Sequence, residues 1–152
     1  MREAVLYLKK NKGVTIIEVI AVLLLIGIIG TVVISRYSST NPFKLVKETE
    51  ILKGHLCHAR VRSMGDNVSW GINISTGSYT LEKDGLIASF NLPGEDLPTH
   101  NLTDGVTVTT GAGSVVSFDE WGNPGPVDIT IILTLGTETR TITISQNTGF
   151  IQ

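Results

Sequence analysis

The chain has 152 residues, 12 of them Lys or Arg and 14 Asp or Glu, for a formal net charge of −2. This length suggests one domain plus an appendage, and a mildly acidic chain gives no reason to expect a binder of nucleic-acid backbones. Cys57 is the only cysteine, which excludes an intramolecular disulfide. Charge is unevenly placed. Residues 1–13 hold Arg2, Lys9, Lys10 and Lys12 against Glu3, a net +3, so the remaining 8 basic and 13 acidic side chains carry −5.

Behind the basic stretch stands "GVTIIEVIAVLLLIGIIGTVVI" (13–34), in which one acid, Glu18, precedes an apolar run from Val19 to Ile34 interrupted only by Gly27, Gly30 and Thr31. From Val14 to Ile34 it would span about 31 Å as a helix, close to a hydrocarbon core of roughly 30 Å. The lysines ahead of it keep the N-terminus cytoplasmic by the positive-inside rule and place residues 36–152 across the membrane. A secretory signal would have a shorter apolar stretch and a small-residue cleavage site after it, and "TVVISRYSS" (31–39) offers none. A plain signal anchor fits the length but leaves Glu18 without a purpose.

The same stretch resembles the N-terminal segment of type IV prepilins and type II secretion pseudopilins. That pattern is a basic leader ending in Gly, an apolar first mature residue, and a Glu as the fifth residue after the cut, here Gly13, Val14 and Glu18. The resemblance implies cleavage between Gly13 and Val14 by a prepilin peptidase and N-methylation of Val14. Two departures stand out: Val14 replaces the more frequent Phe, and the leader is long. Cleavage would remove the net +3 and create an ammonium at Val14. Glu18, about 6 Å further along a helix, can stay near the headgroups, where charge is cheaper than at the bilayer centre. In a filament its partner would be the terminal ammonium of an adjacent subunit. An unpaired buried carboxylate costs several kcal/mol, so this pairing would set axial register. Gly27 and Gly30 would permit close helix packing or loosen the helix locally.

"SRYSSTNPF" (35–43) carries Asn41-Pro42, which predicts a break near Asn41. A second helix is expected over roughly 43–64, with Leu45, Leu52, Leu56 and Ala59 forming one stripe. Lys47, Glu48, Glu50 and Lys53 fall mostly off it. "HLCH" (55–58) looks like a metal motif, but Cys57 points about 200° away from His55 on a helix, which spoils a shared site. After residue 67 the composition turns to Thr, Ser, Gly, Val and Ile, as in an all-β unit. Strands are expected at 68–75, 79–83, 86–90, 106–110, 115–118, 129–135 and 140–145. "DG" (84–85) marks a hairpin, and "TGAGS" (110–114) reads as another hairpin turn. Ile129, Ile131, Leu133 and Leu135 should share one face, with the helix stripe covering part of the sheet.

Further motifs sharpen the resemblance towards the H-type minor pseudopilins of type II secretion and the related FimT-like minor pilins. Ala59-Arg60, Phe118-Asp119, Gly122, Arg140 and Gly149 carry it, and Ser63 stands where a second Ala is usual. The lone cysteine favours the minor class, since major pilins often carry a C-terminal disulfide. No catalytic grouping is evident, and no metal or cofactor is expected. "GEDLP" (94–98) and "DEWGN" (119–123) lack the regular spacing of a Ca²⁺ loop, and Trp70 and Trp121 read as core or edge aromatics. The fold class expected is α+β: a long N-terminal transmembrane and amphipathic helix on a C-terminal antiparallel sheet or sandwich.

The implied division is a leader at 1–13, a transmembrane and assembly helix at 14–35, a linker and amphipathic helix at 36–67, and a β domain at 68–152. By the resemblance, the chain is a non-enzymatic minor pseudopilin of the inner membrane, its β domain periplasmic, drawn into a pseudopilus or pilus. Prepilin peptidase, other pilin or pseudopilin subunits, the membrane and an inner-membrane assembly platform are the implied partners. A DNA-binding or adhesive minor pilin is the alternative. Past residue 62 only Lys83 and Arg140 are basic, which argues against nucleic acid.

Overall fold

The computed structural model describes residues 13–37 and 41–152, without the side chains of 32–42. The basic leader before Gly13 and the three residues at 38–40, where part of the predicted break falls, lie outside the described residues. The chain divides into two compact units, 1–39 and 40–152.

The first unit is helix α1, Ile16–Tyr37. Its side chains from Ile16 through Ile29 are exposed all round. Among the described residues no helix is long and apolar enough to cross a membrane. The side chains described on α1 stop at Thr31, about 24 Å from its start at 1.5 Å per residue. The predicted span also counts Val32, Val33 and Ile34, whose side chains lie outside the described residues.

The second unit opens with α2, Asn41–Asp66, longer at both ends than the sequence suggested. Pro42 stands in its first turn, where the N–H that proline lacks would have had no helical partner. At the other end Asn67 adopts φ 51°, the left-handed conformation that closes a helix. Leu45, Leu52, Leu56 and Ala59 are all buried, as their spacing predicted. The buried face is wider than that stripe, however, and takes in Glu48, Thr49, His55 and Ser63. Glu48 therefore corrects the expectation that it lies off the buried side.

Two antiparallel sheets receive this face. The first comprises β1 (Trp70–Ile74), β2 (Ser78–Lys83), β3 (Leu86–Ile87), β4 (Thr99–Asn101) and β6 (Ser114–Phe118), in the order β3-β2-β1-β6 with β4 also paired to β2. The second runs β5-β7-β8, formed by Val106–Thr110, Ile129–Leu135 and Glu138–Ile144. Asp84 and Gly85 both take positive φ, 52° and 76°, the two-residue turn that matches strand twist and that "DG" announced. Ile131, Leu133 and Leu135 of β7 are buried with Ile142 and Ile144 of β8, and Ile129 packs against them. Trp70, Tyr79, Leu81, Val116 and Phe118 supply the first sheet's share of the same core, and α2 packs on strands of both sheets.

Three strand expectations change. The strand foreseen at 86–90 pairs only through Leu86 and Ile87. β4, three residues long, carried no periodic signal. "TGAGS" does not close a hairpin: β5 pairs with β7 and β6 with β1, so this segment carries the chain from one sheet to the other. Gly113 donates its N–H to the Ile74 carbonyl at 2.6 Å on the way.

Because Leu52 is fully buried where α2 meets the sheets, Leu52→Ala should lower unfolding stability by about 2–5 kcal/mol. Exposed Val61→Ala should stay within about 0.5 kcal/mol. Urea denaturation of the full-length variants in detergent measures both.

Candidate functional site

The predicted processing and assembly residues open α1. Gly13 and Val14 precede the helix and are exposed. Thr15 caps it: its Oγ1 accepts the Glu18 N–H at 3.4 Å, and its carbonyl accepts the N–H groups of Glu18 and Val19 at 3.1 and 3.2 Å. Thr15 and Glu18 stand at the spacing of a capping box. The acid thus lies in the first turn, where the helix dipole favours negative charge. Thr-x-x-Glu was present in the sequence as a signal for this start. The fold places Val14 one turn from Glu18, beside a shallow depression lined by Val14, Glu18, Val19, Val22 and Leu23.

Further along α1, a Cβ added to Gly27 or Gly30 would meet nothing within 4 Å. Neither glycine is demanded by the chain's own packing. The Thr31 hydroxyl donates to the Ile28 carbonyl at 2.8 Å, so the one hydroxyl of the central run is satisfied within the helix.

In the body, most of the motif residues that carried the resemblance converge. Arg60 Nε donates to the Gly122 carbonyl at 3.3 Å, joining α2 to the loop after β6. Gly149 comes in from the C-terminal turn with φ 65°, and a Cβ there would collide with Gly122 O and sit 2.9 Å from Arg60 Nε. Only glycine fits this approach. Ala59 and Phe118 are buried beneath, the Ser63 hydroxyl donates to the Arg60 carbonyl at 2.7 Å, and Asp119 accepts the N–H groups of Trp121 and Asn123 at 2.9 and 2.8 Å. Arg140 stands apart on β8, exposed and opposite Leu133. Trp70 is a core residue, while Trp121 is exposed on its loop.

A second cluster was not foreseen. Glu48 and His55 of α2 are buried against Tyr79 of β2 and His100 of β4. His100 Nε2 lies 2.9 Å from Glu48 Oε2 and its Nδ1 2.6 Å from Glu95 Oε1, while Thr103 donates to Glu48 Oε1 at 2.5 Å. His55 Nε2 donates to the Pro93 carbonyl at 3.0 Å. A carbonyl only accepts, so Nε2 carries a proton, and in the neutral ring Nδ1 accepts the Tyr79 hydroxyl at 2.8 Å. Burial pushes the His55 pKa below its usual value, with nearby His100 adding to the shift and the Pro93 bond opposing it. Burial also raises Tyr79 well above its ordinary value. Partners lying 24 to 55 residues away leave no local sequence pattern. Cys57 is a free, exposed thiol, so it does not join His55. Among the described residues no group of three His, Cys, Asp or Glu side chains is arranged to hold a metal ion.

Two crystal forms of the type IV minor pilin FimU of Pseudomonas aeruginosa match this architecture. One superposes with TM-score 0.56 and 21% identity over 74% of this chain and 90% of FimU; the other gives 0.54 and 22% over 71% and 90%. The fold is pilin-like. No protein-family profile and no curated protein sequence matches the chain. The expected α+β class therefore stands, with a helix seated on antiparallel sheets.

The depressed His55 pKa has a definite sign. Below its ordinary value of 6.5 the unfolded chain takes up the proton first, so this contribution to stability is complete above pH 6.5 and is lost as pH falls below it. Urea midpoints measured between pH 7.5 and 5.5 should drop less in His55→Gln than in the native chain, and the His55 ring signal should titrate below 6.5. Gly149→Ala should cost at least about 1–3 kcal/mol, because it adds backbone strain and breaks the Arg60 contact; thermal unfolding tests it.

Proposed function

We propose that this chain is a minor pilin-like subunit, held in a membrane by α1 and assembled through it into a type II secretion pseudopilus or a type IV pilus. The observation that carries this reading is the joining of two parts. One is a body whose fold matches a minor pilin; the other is an apolar helix that exposes its side chains and opens on Val14, Thr15 and Glu18. An unpaired apolar surface of that extent needs lipid or other helices as its surroundings.

In this reading a prepilin peptidase cuts after Gly13 and methylates Val14, leaving an ammonium next to the Thr15 cap. The Glu18 carboxylate of one subunit then meets the ammonium of its neighbour. Gly27 and Gly30 leave room for a second helix to approach. Other pilin or pseudopilin subunits and an inner-membrane assembly platform are the partners, with the body on the far side of the membrane from the leader. A DNA-binding role has less support. Arg60 is engaged by the Gly122 carbonyl, and Arg62 and Lys83 lie over the Trp70 ring, so these cations serve the body itself.

Intact-mass measurement of the chain co-expressed with a prepilin peptidase should show loss of residues 1–13 and gain of one methyl group. Glu18→Ala should still be cut but should fall at least tenfold in recovery from sheared filaments. Persistence of the leader beside an active peptidase would defeat the processing step, and normal incorporation of Glu18→Ala would defeat the register role.

A further inference from the structure

The Glu48–His100–Glu95 trio does more than fill space under α2. Two contacts of 2.9 and 2.6 Å join the two ring nitrogens of His100 to carboxylate oxygens. Each contact needs a hydrogen between its atoms, yet a neutral imidazole brings only one. Both contacts are satisfied together when the trio carries one proton more than two carboxylates and a neutral ring. Every group that could share this proton is identifiable. From α2 come Glu48 and, 5.9 Å away between ring centres, His55; from β2 comes Tyr79, stacked on His100 at 5.0 Å; from the loop before β4 comes Glu95, with Asp96 lining the same surface opening.

His55 and Tyr79 do not supply or take that proton. Burial disfavours the charged form of His55 and keeps Tyr79 protonated. Glu48 and His100 are nearly sealed, whereas Glu95 is one-third exposed and gives the trio its route to solvent.

We propose that this trio is a proton-dependent latch that holds the N-terminal half of α2 against β2, β4 and the 92–98 loop. While the extra proton is present, His100 bridges α2 and the loop through two charge-assisted bonds. When rising pH removes it, one carboxylate oxygen faces a bare ring nitrogen, and two negative charges share a poorly hydrated site. The opposing cost falls on the turns that bear Leu45 and Glu48, ahead of the Leu52–Leu56–Ala59 seam. Those turns let go while the rest of the body stays folded. The latch is a property of the body alone, set between α2 and the elements packed on its first turns.

Hydrogen–deuterium exchange of the full chain in detergent, corrected for intrinsic rates at each pH, tests it. Amides of residues 45–52 should lose at least tenfold protection as pH is raised, while those of β7 and β8 keep theirs. Glu95→Gln keeps an acceptor for Nδ1 but removes a charge that retains the proton, so it should move the opening to lower pH. Glu95 is partly exposed, so this variant should fold, and unchanged β7–β8 protection verifies that. Protection of 45–52 that is independent of pH, or an opening that Glu95→Gln leaves unmoved, overturns the latch. Neither result bears on cleavage after Gly13, which is read separately by mass.

Discussion

Burial of one face of α2 is the constraint on which the body depends. The two sheets have five and three strands, and the shortest strands are two and three residues long. Sheets this small have little apolar area of their own to hide. Leu45, Leu52, Leu56 and Ala59 give them a common surface, and the core is continuous from Trp70 on the first sheet to Ile142 on the second. The helix is equally dependent, since an isolated helix of this composition has no strong reason to persist in water. The α2 seam and the sheets therefore stabilise one another.

The polar groups under α2 follow from the same geometry. A helix broad enough to touch both sheets turns side chains inward that a narrow stripe would leave outside, and Glu48 and His55 are two of them. A buried carboxylate needs compensation, which His100 and Thr103 provide from another part of the chain. These contacts add direction to an otherwise greasy interface, because only one setting of α2 satisfies them all. On the C-terminal half of the helix the Arg60–Gly122–Gly149 contact has a matching effect, so the two ends of the helix are positioned by different chemistry.

Much of this was legible in the residues. Alternation located β1 and β7, turn signals between β-rich segments located β2, β5, β6 and β8, and the 7, 4 and 3 spacing found the seam of α2. Asp84-Gly85 announced its turn because few other pairs accept two positive φ values. What escaped detection was non-local. β4 is too short for a period, "TGAGS" has turn residues whichever strands it joins, and Glu48 looks solvated until His100 is brought to it. At the N-terminus, Thr15 and Glu18 have the spacing of a cap, and the first turn of α1 uses it.

The last residues have a consequence for solubility at high local density. Thr143 and Gln152 exchange backbone bonds at 3.1 and 3.0 Å, and Ser145 donates to Phe150 at 2.8 Å, so the tail doubles back along the border of the second sheet. A bare border is an invitation to foreign strands. With residues 150–152 along part of it, and Glu138 and Arg140 on the remainder, the β8 border offers little bare backbone to a neighbouring strand.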